Sequence, residues 1–311
     1  MGIADDFMSA FFVAYPQAQS GKLGLEELKR LMAEYQRNIN GHPLADFDGL
    51  SPDQMNVLLH APFSHGAILQ FRQDMESHVD KSPFFKLSEL LLQEISQAGS
   101  LKLTATGNLP VRICERLWGL NLIYWPYMEH VKRIIEDEIP YLWPLKQYLL
   151  DEGILKKRNN ALSFTKTGVQ LLKEPQAVRF IRIFQYMASR FHWGNFYDLK
   201  DNGKCGQLGW AYALVLLSKY GDQPRKSEFY SLKLMRAFEK EWWEAHQKGK
   251  QFETIAEHHD AYQARFFECF ADWFGLIEME RKGGSSYSCI DRLTVKRSAL
   301  FDQLFEVKAI G

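Results

Sequence analysis

Five cations fall within 18 residues: Lys156, Lys157, Arg158, Lys166 and Lys173. Lysine and arginine grouped in this way suit contacts to phosphate oxygens, and each contact that displaces a counterion makes affinity fall with salt. Residues 151–183 hold seven basic and three acidic side chains, a net of +4. A second cluster follows further along the chain, at Arg281, Lys282, Arg292, Lys296 and Arg297. The same cations would equally suit a solvated sheet edge, where lysine blocks pairing with another chain.

Other chemistry finds less support. Glu257-His258-His259-Asp260 is the densest set of metal-ligand types. On a helix, however, adjacent histidines diverge by about 100°, and no HExxH or CxxC pattern accompanies them. A solvated helix start is expected there, with no metal. Neither a GxSxG elbow nor a Walker loop occurs, and no GxGxxG follows a strand. Asn202-Gly203-Lys204-Cys205-Gly206 is too short for a phosphate loop and reads as a turn. Cys114 lies beside Ile113 in an expected helix and reads as a small buried hydrophobe. No cofactor and no catalytic residue are expected, so the chain reads as more likely a binding protein than an enzyme.

The whole chain is charge-balanced, with 38 basic and 38 acidic side chains in 311 residues. Residues 1–80 depart from that balance, with 5 basic against 11 acidic side chains. Charge that segregates by segment points to surfaces with different partners. The uncharged apolar run Cys205 to Ser218 spans 14 residues, short of the about 20 that cross a bilayer. Asp5 and Asp6 precede any apolar stretch, which argues against a secretory signal. Four cysteines with no CxxC pair fit a reducing cytoplasm.

The elements that must position the cations follow from periodicity. Residues 1–80 form an acidic helical segment: Leu25, Leu28, Leu31 and Met32 share one helical face, and Ser51-Pro52-Asp53-Gln54 is a helix start. A connector is expected from Asn38 to Gly49. From 81 to 175 the order is a helix opened by Ser82-Pro83, a strand at Leu101–Thr104, a helix after Pro110, a helix near Ile139–Leu150, and a hairpin. That hairpin pairs Ile154–Arg158 with Ala161–Thr165 through a turn at Asn159-Asn160. This is the element order of a winged helix. Ile154, Leu162 and Phe164 are expected to cover the core, with Lys156, Arg158 and Ser163 outward. Tyr141–Tyr148 is the candidate recognition helix, with Lys146 and Gln147 able to reach base edges among bulky aromatics.

Helices are expected at Val178–Phe191, Trp210–Tyr220 and Phe229–His246, so residues 176–255 read as a helical connector. A second winged-helix-like unit is expected over 256–311: a helix to Phe274, strands at Leu276–Glu280 and Tyr287–Val295, and a helix carrying Leu300, Phe301, Leu304 and Phe305. The fold class is mainly α with small β-hairpins, two winged-helix-like units joined by a helical segment.

The stretches GLSPDQMNVLLHAPF (49–63), LKLTATGNLP (101–110) and LDEGILKKRNNALSFTKTGVQLL resemble a group of bacterial proteins with winged-helix-like units. Some of that group are fused to a SEC-C zinc motif or a plasmid Orf3-like domain. The likeness covers residues 45–310 and implies no activity and no functional residues. The Cys-rich SEC-C tail has no counterpart in these 311 residues.

Two partners fit these features. Duplex DNA would engage the basic hairpins, making the chain a DNA-associated regulator. Alternatively, a protein partner or a second copy would dock on Trp118, Trp125 and Trp143, making it an adaptor. No membrane partner is expected.

Overall fold

In the computed structural model, which describes residues 3–21, 23–124, 131–196, 203–239, 254–281 and 293–308, Ser51 opens a helix with a full capping box. Its hydroxyl accepts from Gln54 N at 3.2 Å, and Gln54 Oε1 accepts from Ser51 N at 2.8 Å. This helix, α3 (Pro52–His60), buries Met55 and Leu58. It belongs to a unit of residues up to Ile68 together with Lys308, distinct from Leu69–Val307. The same unit holds α1 (Ile3–Ala14) and α2 (Leu25–Gly41). Phe11 is fully buried between Tyr15 and Tyr35, at ring separations of 5.4 and 5.6 Å. Helix α2 runs on to Gly41, into the stretch expected as a connector.

The unit Leu69–Val307 contains one arrangement twice. The first copy runs α4 (Pro83–Ala98), β2 (Leu101–Lys102), α5 (Val111–Trp118), α6 (Leu142–Asp151), β3 (Leu155–Arg158) and β4 (Ala161–Phe164). Its three-stranded antiparallel sheet has the order β2-β4-β3. The second copy runs α9 (Trp210–Tyr220), β5 (Arg225–Lys226), α10 (Ser227–Ala237), α11 (Ile255–Tyr262) extended by a π-helical stretch (Gln263–Ala271), β6 (Ile277–Arg281) and β7 (Leu293–Arg297). Its sheet has the matching order β5-β7-β6. A strand before the pair, β1 (Leu69–Phe71), joins β8 (Phe305–Val307) after it, with Phe71 opposite Phe305.

The repeat extends to single hydrogen bonds. Gly153 and Gly275 end the third helices at φ +62° and +72°, where glycine carries no Cβ penalty. Thr165 Oγ1 donates to Gly153 O at 2.6 Å, and Ser298 Oγ donates to Gly275 O at 2.7 Å. Each hydroxyl also caps the helix that follows, accepting from Gly168 N at 2.9 Å and from Phe301 N at 3.1 Å. Those helices are α7 (Lys166–Leu171) and α12 (Ala299–Leu304).

Three expectations shift. The sheet of the second copy draws its edge strand from Arg225–Lys226, inside the stretch assigned to a connector. The single helix expected to Phe191 ends at Gln185 as α8 (Gln176–Gln185) and gives way to a π-helical turn, Tyr186–Arg190. Phe305 leaves its helix because β8 starts there and pairs with β1. Residues 240–253 and 282–292, including parts of an expected helix and strand, lie outside the described residues.

The two copies meet at the end of the second copy's third helix, against α4, α8 and Tyr141. Tyr141, which precedes α6, meets Trp273 at 6.2 Å, edge to face. Phe84 of α4 stacks on Trp273 at 5.6 Å. Phe184 of α8 contacts Phe270 at 5.2 Å and Phe274 at 5.0 Å. Such offset and edge-to-face pairs add to area burial. Phe164 is only half-buried, although it was expected in the core. It shares the inner face with Leu155 but sits at the open end of the hairpin, against Gly168. Phe184→Ala should therefore cost about 3–5 kcal/mol, and Phe164→Ala clearly less. Urea denaturation checks the order; equal losses would place the core elsewhere.

Candidate nucleic-acid interface

The hairpin β3–β4 turns through Asn159 and Asn160, at φ +50° and +54°. Two successive left-handed residues make the tight turn whose twist suits a two-residue hairpin. Pairing puts Lys156 opposite Ser163, Lys157 opposite Leu162 and Arg158 opposite Ala161. Directly opposed residues share a face. Leu162 and Leu101 are buried, so their row, which ends in Lys157, faces inward. The Lys157 ammonium lies against Gly107, 2.6 Å from where a Cβ would stand. Lys156 and Arg158 occupy the outer face, as does Lys102, which was not among the cations singled out from the sequence.

Lys156, Lys157, Arg158, Lys166 and Lys173 are all exposed. Among the described residues none of the five forms an ion pair. Two carboxylates of the first copy, Glu89 and Glu152, serve arginines. Glu89 takes both Arg179 Nε, at 3.1 and 3.2 Å, and Arg179 Nη2, at 2.5 Å. Glu152, nearly buried, holds Arg182 at 2.9 Å and Arg190 at 2.6 Å.

The second hairpin differs. Arg281 pairs with Glu268 at 3.0 Å, Lys296 with Glu278 at 3.8 Å, and Arg297 with Asp302 at 3.0 Å. Arg297 also donates to Ser218 O and lies over the Phe301 ring. Lys282 and Arg292 lie outside the described residues. The two basic clusters are therefore not equivalent: the described cations of the second are tied to its own carboxylates.

Neither third helix presents an exposed lysine, arginine, asparagine or glutamine. In α6, Lys146 is buried, pairs with Glu136 and donates to Gly107 O at 3.1 Å. Gln147, half-buried, donates to Asp151 Oδ1 at 2.6 Å. Of the two side chains expected to reach bases, Lys146 is thus engaged inside the fold and Gln147 is tied to Asp151 at the surface. In the second copy, Tyr262, Phe266, Phe267 and Phe270 are all fully buried. Of the three tryptophans, Trp118 is half-buried and stacked on Tyr141 at 6.5 Å, and Trp143 is 37% exposed, edge-on to Phe191 at 5.7 Å. Trp125 lies outside the described residues.

His258 and His259 are buried, which corrects the expectation of a solvated helix start. Thr254 and Glu257 form the capping box that begins α11, and the helix then turns both histidines into the repeat. His259 is held at both nitrogens, by Ser231 Oγ at 2.7 Å and Ser227 Oγ at 3.3 Å. Ser227 donates to Gln263 Oε1 at 2.7 Å, and Gln263 Nε2 donates to Glu268 Oε1 at 3.0 Å. Through Glu268 this polar network reaches Arg281. No group of three or more metal-ligating side chains occurs among the described residues. The Cys114 thiol is pushed up to about 12, mainly by burial, so it stays protonated. No helix among the described residues is long and apolar enough to cross a membrane. Comparison with family models, curated proteins and solved structures found no match.

One carboxyl beside this network titrates near neutrality. Burial pushes Asp272 from its ordinary 3.8 up to about 7, with Glu268 repelling its charge and Arg281 partly offsetting both. Because the folded pKa is raised, the folded state binds more protons than the unfolded one between about pH 4 and 7. The stabilisation is present at low pH and is lost as pH rises through 7. Denaturation should show stability falling over that window, by up to about 1.4 kcal/mol for each pH unit. Asp272→Asn should flatten the slope, and an unchanged slope would show that Asp272 ionises normally.

Proposed function

We propose that the two repeats are winged-helix-like units and that the chain is a non-enzymatic, DNA-associated protein. It contacts duplex phosphates through the first hairpin and does not read bases. One observation carries this reading: five exposed cations close in sequence on the first copy have no carboxylate partners among the described residues, while Glu89 and Glu152 are held by Arg179, Arg182 and Arg190. The burial of both third helices supports the absence of base readout, since direct readout needs side chains at the base edges.

Such binding is electrostatic and falls steeply with salt. Four contacts give a slope near −3.6 in log K against log salt, or about a hundredfold loss between 50 and 200 mM. A mobility-shift series on duplexes of unrelated sequence tests this. Similar affinities for all duplexes and a loss on changing Lys156, Arg158, Lys166 and Lys173 together to Ala are expected. Lys296→Ala, which touches only an ion pair within the second hairpin, should change little. No retardation at 50 mM salt would overturn the reading.

A protein partner is the second reading, favoured by one observation: Trp143 projects exposed from a helix whose other large apolar side chains are buried or half-buried. Under that reading Trp143→Ala abolishes capture of the partner, and the cation variants leave it intact.

A further inference from the structure

We infer that the phosphate-binding surface is the outer face of the first sheet, with Lys102 as its third cation alongside Lys156 and Arg158. This rests on the duplex-binding reading and specifies where the duplex lies. Register carries it. Lys102 stands opposite Ala161, which stands opposite Arg158, so two cations flank one small side chain in a single row across three strands. Lys156 stands opposite Ser163 in the neighbouring row. All three cations are exposed, and Ala161 and Ser163 are half-buried and short. The row between them, Leu101–Leu162–Lys157, faces inward.

The spacing decides the class of ligand. Lys156 and Arg158 are two residues apart on one strand, about 6.8 Å, and Lys102 is two strand spacings, about 9.6 Å, from Arg158. These separations are about a Debye length at physiological salt, so a polyanion meets the three charges as one field. A small free anion would touch a single cation, because the face is open and has nothing to enclose it. A rigid rod carrying one charge per about 1.7 Å of axis meets all three and releases condensed counterions. The low side chains between the cations leave the rod unobstructed. Phosphodiester duplex is the ligand that fits.

Lys102 escapes a search for basic clusters because more than fifty residues separate it from Lys156. The β2–β4 pairing brings it onto the same face. Lys157, by contrast, lies within the sequence cluster and belongs to the inner row.

Fluorescence anisotropy with a labelled random-sequence duplex, from 50 to 200 mM salt, tests the assignment on the full chain. Lys102→Ala should shrink the salt slope by about 0.9, as one lost contact does. Lys102→Arg should restore it, and Lys157→Ala should leave it at the wild-type value. Thermal midpoints of all three variants should match wild type, since each site is exposed. A Lys102→Ala slope equal to wild type, alongside a reduced slope for Lys156→Ala/Arg158→Ala, would overturn the face while leaving duplex binding in place. An absence of duplex binding by wild type would overturn both. Displacement of duplex by polyglutamate at equal charge would also overturn the assignment, because it would show an acidic polypeptide as the better ligand.

Discussion

The rest of the 69–307 unit depends on the ring packing that joins its two copies. Tyr141, Phe84, Phe184, Phe270, Trp273 and Phe274 form one run of ring contacts that passes from the first copy through α8 into the second. Each third helix is buried within its own copy, α6 against α4 and β3, and α11 against α10. Shape follows from that burial, because α6 and α11 are no longer free to project outward.

The same constraint decides which surfaces remain for a partner. With both third helices enclosed, the outer faces of the two sheets and the hairpins are what each copy presents. These have diverged in charge rather than in backbone. Thr165 and Ser298 make matching hydrogen bonds to Gly153 and Gly275, so the hairpins are anchored alike. Yet Lys156 and Arg158 stand without acidic partners among the described residues, whereas Arg281, Lys296 and Arg297 each have one. In the reading proposed above, the first copy supplies the contact and the second supplies the scaffold.

Local chemistry made much of this legible in the amino-acid order. Ser51-Pro52-Asp53-Gln54 forms its capping box because every partner lies within four residues. Asn159-Asn160 turns because asparagine tolerates the left-handed region. What stayed hidden needed partners distant in sequence. Arg225–Lys226 is too short to show alternation and becomes a strand only against Val295 and Thr294. Leu69–Phe71 pairs with residues more than two hundred positions away. Lys146 reads as available for base contact in the sequence, but Glu136 lies against it in the fold. His259 reads as solvated because its serine partners, Ser227 and Ser231, lie on another helix. Charge clusters are visible in sequence, but whether a cation is already paired depends on tertiary structure.

Amide hydrogen exchange with and without a random-sequence duplex at low salt most directly tests the claim that the first sheet, not a third helix, meets the ligand. Slowed exchange should be confined to residues 101–104 and 155–164, with Leu142–Asp151 unchanged. New protection across Leu142–Asp151, or none within 155–164 while duplex is bound, would contradict it.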